Sequence, residues 1–456
     1  MQIHKLYLYI SIIVAAMSGL LFGFDTSIIA GSLSLIRSEF NASDFALEIV
    51  VSFCTLGALF GALVSGYITD KFGRRVVLII TGLLFIFGTV MAYFSVSIFM
   101  LICARFILGL AIGVGSFAAP LFIAEIAPAK SRGQLVLFNG AFITGGQVIA
   151  FFVSYTFTQS GHWRSMMLSG IVPAILLTLG ILCMPESPKW LIHKGKYTKA
   201  LKVLRKVRDK SVDIQLELQQ IKNMYSRKKV SLKEIIGSSV RPVLIIGLFM
   251  GICQQFMGIN TIMYYGPQIM TEIGLSSGVT AILATLGVGT CNFLFTIITL
   301  LLIDHIGRRK FLLIGSFIAA ISLFAMIFLI NHKTPENLVL VDNLSLICIF
   351  CYIIGYCISL GSLFWLMIAE IFPMHIRATC MGVVVAVQWL ANFIVSATFL
   401  TILHGFGLSL TFSLYGMVSL IVFILSYFKI PETRGVTMEQ IEANIKKGLP
   451  TRYLGI

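Results

Sequence analysis

DKFGRR, at residues 70–75, returns as DHIGRR at 304–309. Two further echoes fall in the same order: EIAPAKSR at 125–132 with EIFPMHIR at 370–377, and PESP at 185–188 with PET at 431–433. Each second copy follows the first by about 240 residues, and three ordered matches at similar spacing point to an internal duplication. Each copy also lies at the end of a long apolar run. The repeated charges therefore mark corresponding ends of membrane helices.

The apolar runs say what was duplicated. The 456 residues are 58% hydrophobic and 12% charged, with mean hydropathy +0.96. A soluble domain is about 45–50% apolar and about 25% charged. Runs long enough to cross a bilayer, about 20 residues each, lie at 7–31, 46–69, 76–95, 98–126, 134–157, 164–184, 241–269, 278–303, 310–331, 344–371, 378–403 and 409–429. Only 185–240 is both long and hydrophilic. This gives an all-α polytopic membrane protein of twelve transmembrane helices in two pseudo-symmetric six-helix bundles. The first bundle is 1–184, a cytoplasmic helical linker 185–240, the second bundle 241–430 and a cytoplasmic tail 431–456. Two parallel six-helix halves are the architecture of an alternating-access transporter.

Charge placement orients the chain. Of its 34 Lys and Arg residues, Arg37, Arg164 and Lys333 fall in loops on one side and Arg105 lies inside a span; the others lie on the opposite side. Positively charged loops stay in the cytoplasm, so both termini and 185–240 are expected there. The net charge of +15 is then a topology signal and an anionic-lipid contact. It does not imply nucleic acid, because no basic patch carries interleaved stacking aromatics. The first apolar run lacks a small-residue cleavage site and is expected to be a retained span. All nine cysteines lie in apolar segments, and the CIFC at 348–351 has neither a second pair nor a nearby histidine. They are expected to be small buried apolar residues rather than disulfides or metal ligands. No nucleophile–base or metal constellation suggests an enzyme, and no cofactor is expected. The glycines of GLAIGVG (109–115) follow no strand, so they are expected to pack helices rather than bind a dinucleotide.

CQQFMGINTIMYYGP, at 253–267, places three amides in an apolar span. Each would cost on the order of 2–7 kcal/mol if left unsatisfied there. On an ideal helix Gln255 and Asn260 stand about 140° apart. Gly258, with Gly266-Pro267 beyond it, permits a local break that would converge them. Mid-membrane helix breaks are where transporters hold substrates. Asn260 and Tyr264 are four apart and share a face.

Over essentially its whole length the chain resembles the sugar porters of the major facilitator superfamily. The resemblance is carried by GLLFGFDTSIIAG (19–31), GYITDKFGRR (66–75), RFILGLAIGVG (105–115), PESPKWL (185–191), QQFMGIN (254–260), GSLFWLMIAEIFP (361–373) and PETRG (431–435). DxxGRR marks only the superfamily, whereas PESP, QQxxxxN and PETRG together are specific to sugar porters. The nearest likeness is to bacterial proton-coupled xylose and hexose symporters of the inner membrane. Phe24 departs from the pattern, since many relatives have tyrosine there.

A sugar presents hydroxyls in all directions and two weakly apolar faces. Amides suit the hydroxyls, because each offers two donors and an acceptor without a buried charge. An aromatic ring suits the faces. Gln254, Gln255 and Asn260 are the expected core of such a site, with Tyr264 beside Asn260 as a further substrate-binding residue. By resemblance, Gln147, Asn292, Trp365 and Gln388 contact the sugar, Phe22 and Trp389 line an apolar wall, and Tyr264 and Tyr265 match an outer gate. A lone intramembrane Gln or Asn can instead bridge two helices, worth about 0.6 kcal/mol, and that alternative stays open for Gln147 and Asn292.

Asp25 and Arg105 are the only charged residues well inside the first four spans, and at similar depth. Burial favours a protonated carboxyl and a neighbouring guanidinium favours an ionised one. A motion that separates them would load or release a proton, the expected coupling ion. A fixed structural ion pair is the alternative. Resemblance favours symport, because facilitative animal glucose porters carry asparagine at the place of Asp25.

The repeated charges suggest a cytoplasmic latch: Asp70, Arg74, Arg75, Glu125, Arg132 and Glu186 in the first half, and Asp304, Arg308, Arg309, Glu370, Arg377 and Glu432 in the second. The blander alternative is solvated pairs worth about 0–1 kcal/mol each. In YTKALKVLRKVR (197–208), Ala200, Val203, Leu204 and Val207 fall on one face, predicting short amphipathic helices in the linker. The expected partners are a small sugar and the bilayer, without nucleic acid, and the chain is expected to act as a monomer. A proton-independent sugar uniporter and a non-transporting sugar sensor remain the rival readings.

Overall fold

A computed structural model describes residues 3–128, 132–158, 160–208, 213–225, 240–275, 278–373, 376–436 and 438–455. Among these the chain is helical, with no strand. Hydrophobic runs without internal water partners must satisfy every backbone group within the segment, and the helix is the open-chain solution.

The first five spans are α1 (Ile3–Phe40), α2 (Asp44–Phe72), α3 (Arg74–Tyr93), α4 (Ile98–Ile126) and α5 (Arg132–Thr158). The sixth is made of two pieces, α6 (Trp163–Leu168) and α7 (Ile171–Leu182). The linker holds α8 (Pro188–His193), α9 (Tyr197–Val207) and α10 (Ile214–Tyr225). Then follow α11 (Arg241–Phe256), α12 (Ile259–Ile273), α13 (Gly278–Ile306), α14 (Arg308–Asn331), α15 (Leu338–Tyr356), a π-turn (Cys357–Gly361), α16 (Ser362–Ile371), α17 (Arg377–Phe428) and α18 (Met438–Lys446).

Among the described residues eleven helical stretches are long and apolar enough to cross a membrane, and the last of them is long enough for two crossings. A straight 52-residue α17 would reach about 78 Å, far beyond a hydrocarbon core of about 30 Å. At Gly407 the backbone leaves the helix (φ 82°, ψ 169°), which separates the spans expected at 378–403 and 409–429. The predicted count of twelve is thereby recovered. The expected 7–31 is the middle of the longer α1.

By contact density the chain forms two compact units. One comprises Met1–Asp25, Leu56–Ala150 and Arg164–Lys228; the other comprises Thr26–Thr55, Phe151–Trp163 and Lys229–Ile456. Within the first, α2 and α4 approach backbone to backbone. A Cβ on Gly113 would lie 2.1 Å from Ala58 O, and one on Gly57 2.3 Å from Phe106 O. This is the close-packing role expected of GLAIGVG.

The predicted linker face is buried: Ala200, Val203, Leu204 and Val207 point inward on α9, and Ala200 and Val203 pack with Trp190, Leu191, Ile192 and Ile221. Arg208 fastens this small core to α4. Its guanidinium donates to Ile126 O at 2.6 Å and pairs with Glu217 at 2.8 Å. The first contact satisfies a carbonyl that the helix end leaves open.

The two copies of DxxGRR fold alike. Glycine precedes α3 and α14 with nearly the same backbone, φ 97°, ψ 161° at Gly73 and φ 102°, ψ 154° at Gly307. A carboxylate from the end of the same half then caps the new helix. Glu186 accepts the Arg74 and Arg75 N–H groups at 3.0 and 3.1 Å, and Glu432 accepts those of Arg308 and Arg309 at 3.0 and 3.1 Å. Anion and helix N-terminus attract each other. A Cβ on Gly73 would stand 2.2 Å from Glu186 Oε2, and one on Gly307 2.7 Å from Glu432 Oε2. Glycine is required by both the dihedral and the carboxylate.

Gly73→Ala is expected to lose about 2–4 kcal/mol, combining backbone strain with a displaced cap. Gly435→Ala, at φ 73° with open space around it, carries only the strain. Thermal unfolding of the purified protein should show a clearly larger drop for Gly73→Ala.

Candidate functional site

The seventh span breaks where its sequence allows. α11 ends at Phe256, Gly258 takes a left-handed conformation (φ 93°, ψ 11°), and α12 starts at Ile259. The Tyr415 ring fills the space a side chain would need, 2.4 Å from a Cβ placed on Gly258. Buried carbonyls near the break are satisfied from side chains: Tyr352 donates to Met257 O at 2.7 Å and Thr261 Oγ1 to Gly258 O at 2.6 Å. The non-helical backbone at Tyr265 (φ −122°, ψ 18°) puts a second kink ahead of Pro267.

The break joins the amides that a regular helix would hold apart. Asn260 Nδ2 donates to Gln255 Oε1 at 2.6 Å, and Gln255 Nε2 to Gln254 Oε1 at 3.4 Å. Gln388 on α17 donates to the same Gln254 oxygen at 3.1 Å. Gln254 Nε2 reaches Leu360 O, in the π-turn, at 3.3 Å. Four predicted amides on two spans thus form one chain, which the Leu360 carbonyl ties to a third span. Gln388 Oε1 and Asn392 Oδ1 are buried and receive no hydrogen bond from any described residue. They are acceptors suited to a ligand hydroxyl. Asn392, one turn beyond Gln388, donates to Tyr264 Oη at 3.3 Å.

The remaining predicted residues are distributed as follows. Trp365 is half-buried on α16 and meets Phe364 edge-on at 5.1 Å. Trp389 is buried beside Gln388. Asn292 on α13 is buried and accepts the Cys357 thiol at 2.8 Å. Gln147, buried on α5, and Phe22, half-buried on α1, belong to the other compact unit. Sequence reading missed Asn392 and Tyr352. Polar tips in apolar spans were the available signal.

Asp25 and Arg105 meet as expected. One guanidinium nitrogen lies 2.7 and 2.8 Å from the two carboxylate oxygens, and both side chains are buried. An ion pair in such surroundings is held by geometry, because two desolvated charges lose several kcal/mol of hydration each.

The repeated charges form two matching clusters, each within its own half. Arg74 pairs with Glu125 at 2.9 Å and Asp70 at 3.4 Å. Arg308 pairs with Glu370 and Asp304, both at 2.9 Å. Arg75 donates to Ile181 O and Leu182 O, as Arg309 donates to Ser426 O and Tyr427 O. The residue after each capping glutamate completes the cluster: Ser187 bonds Glu125 and Thr433 bonds Glu370. Neither hydroxyl was singled out from sequence. Burial pushes the Glu186 carboxyl above its usual value, opposed by the backbone N–H groups of Ser187, Arg75 and Arg74 and by the Arg74 charge. Arg377 donates to Phe372 O at 3.2 Å, and the side chain of Arg132 lies outside the described residues. All nine cysteines are free thiols, but only Cys54, Cys253, Cys357 and Cys380 are buried; Cys103, Cys291, Cys348 and Cys351 are half-buried on helix faces and Cys183 is exposed, which corrects the expectation that all would be buried. Cys183 sits just past the end of α7, and in a bilayer-facing helix an apolar sequence does not by itself mean burial within the protein.

The family model for the sugar (and other) transporter family matches residues 11–445. The chain belongs to that family. This sugar transporter family member is 35% identical over 446 residues to the galactose-proton symporter of Escherichia coli K12, covering 97% of this chain and 95% of that one. It is 33% identical over 438 residues to the arabinose-proton symporter of Bacillus subtilis, covering 94% and 93%. The Escherichia coli xylose transporter XylE, in a partially occluded inward-open conformation, matches with TM-score 0.82 and 30% identity, over 94% of this chain and 99% of that chain. The protein is an integral membrane transporter of the major facilitator fold, not an enzyme.

Removing one partner of a buried pair costs about 3–5 kcal/mol. Arg74→Gln is therefore expected to destabilise the protein more than Arg308→Gln. The Glu125 side chain is only 5% exposed against 17% for Glu370, so water can replace less of the lost guanidinium. Thermal unfolding midpoints of the two variants test the order.

Proposed function

We propose that the protein is a proton-coupled symporter of a pentose or hexose in the plasma (inner) membrane, working as a monomer by alternating access. The buried Asp25–Arg105 pair, in a transporter whose amides already converge, is the observation that carries the reading. The names of its relatives, galactose- and arabinose-proton symporters, support it. So does a structural match, at 30% identity, described as a proton:xylose symporter bound to 6-bromo-6-deoxy-D-glucose.

In this reading the 1–184 bundle carries the proton and the 241–430 bundle most of the sugar contacts. The 185–240 linker, the 431–456 tail and both termini lie in the cytoplasm. Gln254, Gln255, Asn260 and Gln388 bind hydroxyls, joined by Gln147 and Asn292. Trp365 covers a sugar face, while Phe22 and Trp389 supply apolar wall. Tyr264 contacts the sugar beside Asn260 and, with Tyr265, borders the outer gate. Protonation of Asp25 from outside frees Arg105 and favours sugar binding. The halves then exchange access and the proton leaves inside. The clusters around Arg74–Glu125 and Arg308–Glu370 brace the cytoplasmic ends, so that each half moves as a body and the latch residues can meet or part together.

The decisive experiment follows external pH around de-energised, weakly buffered cells expressing the protein, while pentoses and hexoses are added in turn. One sugar should alkalinise the medium. Asp25→Asn should abolish that signal and uphill accumulation while exchange of labelled sugar persists. Equilibration of sugar without any pH change would instead make the protein a uniporter with a structural ion pair. Gln388→Ala should raise KM about tenfold for the sugar found, the loss of roughly one to two buried hydrogen bonds.

A further inference from the structure

We propose that Glu48 is a positioning residue of the outer gate, holding Thr401 on the eleventh span to the second span whenever that side of the carrier is shut. Glu48 lies one turn inside α2 and is 1% exposed. One carboxylate oxygen accepts the Thr401 backbone N–H at 2.7 Å, and the other accepts the Thr401 hydroxyl at 2.7 Å.

Glu48 is the middle of three rungs. At the exposed end, Asp44 meets His404 Nδ1 at 2.7 Å and also takes Arg37. Further in, the Thr55 and Ser396 hydroxyls meet at 3.2 Å, both buried. Residue numbers rise along α2 (44, 48, 55) as they fall along α17 (404, 401, 396). This is an antiparallel polar seam leading from the water-accessible edge into the apolar interior.

The physics of the middle rung is two-sided. A buried carboxylate is tolerated only when strong donors satisfy it. Closed, Thr401 supplies two. Open, water supplies them. A half-parted seam supplies neither, so Glu48 disfavours intermediate openings and favours a gate with two discrete states. The seam also connects to the amide cluster. Tyr265 donates to Ser396 O at 2.9 Å and stacks on Phe399 at 4.9 Å, and it lies on α12, which carries Asn260 and Tyr264. Sugar held by those amides is thereby placed to influence whether the seam closes.

The inference rests on the alternating-access reading, with this end of α2 facing outward. Its test needs no sugar. Ser396→Cys is introduced as a reporter, and intact cells are treated with a membrane-impermeant maleimide. Labelling of Cys at that position should be slow when Glu48 and Thr401 are present. Glu48→Ala and Thr401→Val should each speed it about tenfold, and the double variant should be no faster than either single one. Glu48→Gln retains the shape and one acceptor, and should fall between; it decides the matter if Glu48→Ala does not reach the membrane. Unchanged labelling in both Glu48 variants, or multiplied effects in the double variant, would overturn the proposal. Because the label reports gate opening alone, a protein that moved sugar without protons would leave this result standing. Failure of the seam would equally leave the symport measurement untouched.

Discussion

Inside a bilayer, a polar atom must find its partner within the protein, because water is not there to replace one. Much of the architecture follows from that constraint. The break at Gly258 is possible because Tyr352 and Thr261 take up nearby carbonyls. Gln254, Gln255, Asn260 and Gln388 are tolerable because each meets another amide. Arg74 and Arg308 can sit at helix ends because glutamates from neighbouring segments converge on them. Where an acceptor such as Gln388 Oε1 or Asn392 Oδ1 has no donor among the described residues, the arrangement is suited to a polyhydroxylated ligand.

The duplicated ends were legible in sequence because their geometry permits few substitutes. A glycine at φ near 100° with a carboxylate packed on its Cα leaves room for nothing else. The arginine that follows must reach a glutamate on another span. Such demands preserve a recognisable string in both halves. Ser187 and Thr433 serve the same clusters and were not legible, because a small hydroxyl residue after glutamate is common in any loop. Their role appears only when Glu125 and Glu370 are seen to accept from them.

The amides were legible as chemistry but not as geometry. Helical spacing alone put Gln255 and Asn260 on different faces, and only the left-handed turn at Gly258 joins them. Helix ends were the least legible. Glu48 falls near the start of a predicted span, where a carboxylate ordinarily meets water. Its burial depends on Thr401, distant in sequence and near the end of another predicted span, and no local pattern pairs the two.

The mid-membrane chemistry did not stay duplicated. Asp25 and Arg105 belong to one compact unit, while Gln254, Gln255, Asn260 and Gln388 belong to the other. If the first pair takes the proton and the second set takes the sugar, neither ligand needs to touch the other. Coupling then resides in the equilibrium between outward- and inward-open states, which each ligand biases by its difference in affinity for the two. Such coupling is reciprocal: whatever factor protonation adds to sugar affinity, sugar adds to proton affinity. The preserved ends and the diverged middle are consistent with that division. On the proposed mechanism, stiff, matching helix ends would let each half act as a body, and dissimilar interiors would let the two respond to different ligands.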